Sequence, residues 1–129
     1  MITGKKKKSI SKFLTTFKQI ATTGRGIDIV SRGKNLRSLA ELGITKRNCI
    51  DEILSLSVAD YCEGPEPDTD RPGEIWKFGK HIGDKEVYIK LKIARVAKKT
   101  IAKCLSFHIA EYSLCFPFKE DLETGGRKK

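Results

Sequence analysis

Between Glu74 and His108, the side chains able to bind phosphate or carry a proton alternate with apolar ones: Lys77, His81, Tyr88, Lys90, Lys92, Ser106 and His108. A period of two places such residues on one face of a sheet. Imidazole, phenol and ammonium groups gathered there are what metal-free cleavage of RNA requires. A base takes the proton of the 2′-hydroxyl, an acid protonates the departing 5′-oxygen, and cations stabilise charge on the phosphorane-like transition state. Histidine suits either proton transfer near neutral pH, its unperturbed pKa being about 6.5. Lysine or tyrosine needs a depressed pKa to act as base, which a cationic cluster supplies. The same pattern also suits a solvated, half-exposed sheet, with His108 a structural imidazole at a strand end and Tyr88 a cross-strand packing partner. His81, close to a turn, fits the surface better than the site.

Three strands must position these groups. Glu74–Ile82 leads through the turn residues Gly83 and Asp84 into Glu86–Ile93, where Val87, Ile89, Leu91 and Ile93 alternate with Glu86, Tyr88, Lys90 and Lys92. A basic turn over 95–99 precedes a third strand, with Ile101, Leu105 and Phe107 expected on the apolar register and Cys104, Ser106 and His108 on the other. Residues 112–118 are expected to add an edge strand, because Pro117 is poorly tolerated inside a ladder. Before the sheet come helices. Ile10, Phe13, Leu14, Phe17, Ile20 and Ala21 form one stripe closed near Gly24; a second helix is expected from about Asn35 to Leu42, ending at Gly43; a third follows the N-cap Thr45 with Cys49, Ile50, Ile53, Leu54 and Leu56 on its face. Ser57 caps one more short turn. Residues 24–34, with three glycines, read as a connecting loop, and the proline- and glycine-rich stretch 64–73 as a loop dividing helices from strands. The fold class is therefore α+β, with N-terminal helices packed on one face of a small antiparallel sheet. Residues 9–118 form a single domain between a flexible basic arm, 1–8, and a flexible tail, 119–129.

With 129 residues and a formal charge of +10, the chain fits a phosphate-backbone ligand. The charge is uneven: residues 1–47 hold 12 basic and 2 acidic side chains, 48–74 hold 1 and 8, and 75–129 hold 13 and 6. One surface suits nucleic acid and another remains for a different contact. Cys49, Cys62, Cys104 and Cys115 include no C-x-x-C pair, which argues against zinc and for reduced thiols in a cytoplasmic protein. The carboxylates Glu63, Glu66, Asp68 and Asp70 lack calcium-loop spacing, so no metal or other cofactor is expected, and they read as an acidic loop flanking the basic face. No phosphate loop, zinc-protease helix or nucleophile elbow occurs, nor any apolar run of the roughly 18–20 residues a membrane span needs.

Four segments, Leu56 to Tyr61 (Leu-Ser-Val-Ala-Asp-Tyr), Ile75-Trp76-Lys77, Glu86 to Lys90 (Glu-Val-Tyr-Ile-Lys) and Leu105-Ser106-Phe107-His108, by their order and spacing resemble the MqsR family of bacterial toxins, over roughly residues 35–118. The resemblance implies a RelE-like fold, metal-independent endoribonuclease action on mRNA and neutralisation by a cognate antitoxin protein. It also implies that Tyr88, Lys77 after Ile-Trp and His108 after Ser-Phe belong to the site as its catalytic residues, with Glu63 beside the substrate; the alternation of the strands adds Lys90, Lys92 and His81 as substrate-binding candidates. Where the family carries glutamine, lysine and lysine, this chain has Lys77, His108 and Glu63; a carboxylate near phosphate must either serve as base or point away. Two other readings use the same residues: a non-catalytic RNA-binding module on the basic face, and an interaction protein that docks a partner through a sheet edge or the acidic loop.

Overall fold

The computed structural model describes residues 2–24 and 26–119, without the side chains of residues 2 and 3. In chain order the elements are α1 (Ile2–Thr23), β1 (Ile27–Ile29), α2 (Gly33–Leu42), α3 (Lys46–Leu54), a 3-10 turn (Val58–Asp60), β2 (Tyr61–Pro67), β3 (Glu74–Ile82), β4 (Lys85–Val96) and β5 (Lys99–Ile109). The five strands make one sheet in the order β1-β5-β4-β3-β2. The architecture is α+β, as the run of helices followed by strands implies. The sheet is mixed rather than antiparallel, because β1 pairs parallel to β5 through Ile27–Ala102 and Ile29–Cys104. The segment expected to be only a connecting loop thus supplies an edge strand: the burial of Ile27 and Ile29 that the sequence suggests is achieved by pairing. No described helix is long and apolar enough to cross a membrane.

The core lies between the helices and one face of the sheet. Along α1, Ile10, Phe13, Leu14, Phe17 and Ala21 are buried with Cys49 and Ile53 of α3 against Trp76, Phe78, Val87, Ile89 and Leu91. Phe13 stacks on Trp76 with ring centroids 4.8 Å apart, an arrangement worth about 1 kcal/mol beyond the area it buries. Thr45 caps α3 as its sequence predicts: its Oγ1 accepts from the Asn48 amide at 3.1 Å, and the Asn48 Oδ1 accepts from the Thr45 amide at 3.0 Å.

Two corrections concern the ends. Residues 2–8 are helical, not a flexible arm: α1 begins at Ile2 and runs its lysines beside β2. Lys6 Nζ donates to the Gly64 carbonyl at 3.2 Å and lies 5.9 Å from the Tyr61 ring, while Lys7 Nζ stands 5.5 Å from the Phe118 ring. Lysine is a good helix former whose long stem packs while its charge finds a carbonyl or an aromatic face. The tail expected over 119–129 lies, apart from Lys119, outside the described residues. Residues 112–118 form no strand. They make a strap across the sheet's second face, anchored where the Leu114 amide donates to Glu86 Oε1 at 3.0 Å and ending where Phe118 packs 5.9 Å from the Tyr61 ring.

The strap explains Gly79. A Cβ there would lie 2.5 Å from Leu114 and 2.9 Å from Phe116, so the missing side chain is the space the strap occupies. Gly79→Ala is expected to lift the strap and cost about 1–2 kcal/mol, as overpacking does. Hydrogen exchange over residues 112–118 should accelerate while the amides of β4 keep their protection.

Acidic β2 is the other element hidden in the sequence. Residues 61–67, largely within the stretch expected to be a loop, pair antiparallel with β3 through Tyr61–Phe78, Glu63–Lys77 and Glu66–Ile75, with irregularities on both sides of Glu63. Prolines are tolerated because β2 is an edge strand. Gly64 has φ +116 and no room for a Cβ, which would sit 2.8 Å from the Ile75 carbonyl oxygen.

Candidate functional site

Strand register collects the candidate residues on the face away from the helices. One cross-strand row is Gly79–Tyr88–His108, the next is Lys77–Lys90–Ser106, and a third is Ile75–Lys92–Lys103. Beneath them Trp76, Phe78, Val87, Ile89, Leu91 and Phe107 point into the core as the alternation predicts. Leu105 and Cys104 exchange the positions expected of them. Lys90 pairs with Ser106 but Leu91 pairs with Cys104, so Leu105 is the extra residue of a β-bulge. Cys104 and Ala102 are consequently buried, while Lys103 and Leu105 line the open face.

Tyr88 and His108 are neighbours, with ring centroids 5.3 Å apart and planes at 48°. His108 Nδ1 lies 3.0 Å from the Ile109 carbonyl oxygen. A carbonyl can only accept, so Nδ1 carries a proton and Nε2 is the acceptor of the neutral ring. The imidazole is only 9% exposed, yet it lines a pocket of about 440 Å3 with Tyr88, Lys90, Ser106 and Arg32. Burial, partly offset by the Lys77 charge, raises the Tyr88 phenol above its ordinary pKa, with Glu63 and Glu66 adding to the rise. The phenol is therefore a hydrogen-bond donor at neutral pH, not the base that a depressed pKa would have allowed. Lys90 moves the other way: burial first, then the charges of Lys77 and Arg32, lower its ammonium. The cationic cluster acts on the lysine and leaves the tyrosine protonated.

Glu63 and Glu66 reach Lys77 from β2, at 3.5 and 2.9 Å. Burial works against the Lys77 charge, but the Glu66 hydrogen bond and the charges of Tyr88, Glu63 and Glu66 outweigh it and hold the ammonium above its usual pKa. Lys92, nearly buried, is taken by Asp68 at 2.6 Å, which ties the 68–73 loop to the sheet. That hydrogen bond, followed by the one from the Asp70 amide, holds the Asp68 carboxyl down at about 2. Since the folded value lies below the ordinary aspartate pKa of about 3.9, the stabilisation is complete above that pH and disappears as pH falls through about 2. A carbon NMR titration of the Asp68 carboxyl should show this low midpoint, and Lys92→Met should return it toward about 3.9.

His81 stands apart. It lies near the turn, 3.4 Å from Glu86 and 6.1 Å from the Phe116 ring, and lines neither this pocket nor the adjoining groove. The strap lies over Gly79, at the end of the Tyr88–His108 row, with the Phe116 ring toward His81. A second, larger groove of about 1130 Å3 continues from Arg32 and Lys90 past Lys77 and Lys92 to Arg95 and Lys103. Sequence reasoning missed Arg32 and Tyr112, both of which line the pocket. Arg32 lay in an apparent loop; its position immediately before a helix opening on Gly33 was the available signal. Tyr112 was assigned to a strand that does not form.

Among the described residues, no group of three His, Cys, Asp or Glu side chains is placed to hold a metal. All four cysteines are free thiols; burial pushes Cys49 up to about 12 and raises Cys104 further. Compared with protein-family models, with curated proteins and with solved structures, the chain matches none.

Proposed function

We propose that this protein is a metal-independent endoribonuclease of the RelE-like, MqsR-type toxin class, acting on mRNA and controlled by an antitoxin. The observation that carries the reading is the pairing of half-buried Tyr88 with buried His108, which line one basic pocket together with Lys90, while Lys77 stands beside Lys90 in the next row. His108 Nε2 takes the 2′-hydroxyl proton, and the 2′-oxygen attacks the adjacent phosphorus. The P–O5′ bond breaks, and Lys90, its proton loosened by burial and by two neighbouring cations, protonates the departing oxygen. Tyr88 donates a hydrogen bond to a phosphoryl oxygen, where it stabilises the developing charge. Lys77, held by Glu63 and Glu66, positions this row rather than binding phosphate alone.

The test is incubation of the purified chain with a long unstructured RNA in EDTA. Fragments ending in 2′,3′-cyclic phosphate and starting with 5′-hydroxyl support the proposal; intact RNA overturns it. The two carboxylates on Lys77 favour a second reading, an RNA-binding module without catalysis, for which the same RNA is bound with steep salt dependence but stays whole.

A further inference from the structure

We infer that the pocket beside Tyr88 and His108 seats one unpaired nucleotide, with its base stacked on Tyr112 and its phosphate held between Arg32 and Lys90. The inference rests on RNA being the ligand of this face, and adds which form of RNA it takes and which residues choose it.

Tyr112 is 84% exposed, the most exposed of the large hydrophobic side chains among the described residues, yet it lines this pocket. Its ring contributes nothing to the core. Nor does it hang on a loose segment: on one side the Ala110 amide donates to the Glu86 carbonyl at 2.8 Å, and Glu111 pairs with Lys34 of α2 at 2.9 Å. On the other, the Leu114 amide is bound by Glu86. A wet aromatic ring on an anchored backbone beside a basic pocket is a stacking platform, and every base has a face to stack on it.

The phosphate position follows from the charges. Lys34, Lys77, Lys92 and Lys103 each have a carboxylate partner, whereas Arg32 and Lys90 have none among the described residues. These two cations line both the pocket and the long groove, so a strand leaving the pocket passes between them. The Arg32 charge adds to the cost of the Lys90 charge, a cost that a phosphate relieves. The volume of about 440 Å3 falls in the range of small-ligand sites and suits one nucleotide. A duplex cannot insert a base here without unpairing it, so the geometry selects single strands.

The experiment measures anisotropy of a fluorescent 10-mer carrying 2′-O-methyl sugars, which cannot be cleaved, with the full chain at low salt. A 2-aminopurine in the 10-mer reports stacking by quenching. Tyr112→Ala should weaken binding about tenfold or more and abolish the quenching, while Tyr112→Phe retains both. Binding of the same sequence as a duplex should be equal for wild type and Tyr112→Ala. If Tyr112→Ala binds the 10-mer as wild type does, or loses 10-mer and duplex equally, the stacking role is wrong, and cleavage by the wild type in EDTA then leaves the nuclease reading standing. If the wild type neither binds nor cleaves RNA, both fall together.

Discussion

Replacing His108 with alanine is expected to slow RNA cleavage by about 10²–10⁴-fold, the usual contribution of a positioned acid or base. The expectation rests on geometry. The Ile109 carbonyl fixes the proton on Nδ1, the Tyr88 ring bounds one side, and the ring lines the pocket despite its burial. The binding cations Arg32 and Lys90 remain in the variant, so affinity for the uncleavable 10-mer should stay within about threefold while the cleavage rate falls. Single-turnover cleavage and anisotropy on the same preparation separate the two effects. An unchanged rate would remove His108 from the chemistry. In cells, growth arrest on expression should be relieved by His108→Ala.

The largest effect on stability is expected from Asn35→Ala. β1 covers the free edge of β5 only as far as Cys104, and Asn35 serves the next stretch. Its Nδ2 donates to the Val30 carbonyl at 2.9 Å and the Leu105 carbonyl at 3.3 Å, and its Oδ1 accepts from the Phe107 amide at 3.1 Å. The side chain is 1% exposed, so truncation leaves peptide groups without partners in a place water reaches poorly. With three hydrogen bonds lost at about 1 kcal/mol or more each, a loss of at least about 3 kcal/mol is expected, read as a lower urea midpoint with unchanged slope. Ser38, whose Oγ accepts from the Ile109 amide at 2.9 Å, continues the same edge. Because these bonds flank Ser106 and His108, Asn35→Ala should also slow cleavage at temperatures where the chain remains folded.

What the sequence revealed was governed by local periodicity. The strand Glu74–Ile82 and its hairpin, the stripe of α1 and the Thr45 cap were all legible, because each is decided within a few residues by side-chain alternation, spacing or turn chemistry. The rows uniting Tyr88 with His108 and Lys77 with Lys90 followed from pleating once the strands were in place. What escaped depends on distant partners. β1 has only three residues and forms because β5 has an edge to offer; β2 contains two prolines and tolerates them because its outer side is unpaired; the strap has strand-like composition but meets a glycine-opened surface instead of an edge. The pairing of Lys77 and Lys92 with carboxylates from β2 and its loop likewise depends on a strand that composition disguised as a loop.

The extra residue at Leu105 makes one position of β5 dispensable to the alternation on either side of it. Polar substitutions there should be borne easily, since the side chain lines an open groove. Deleting the residue would join Cys104 directly to Ser106 in an unbroken ladder, with Phe107, Cys104 and Ala102 still facing the core and Lys103 the groove, whereas removing a residue from the regular part of β4 would turn every side chain beyond it to the opposite face. Evolutionary loss of a single codon should therefore be borne better at this point than elsewhere in the two long strands.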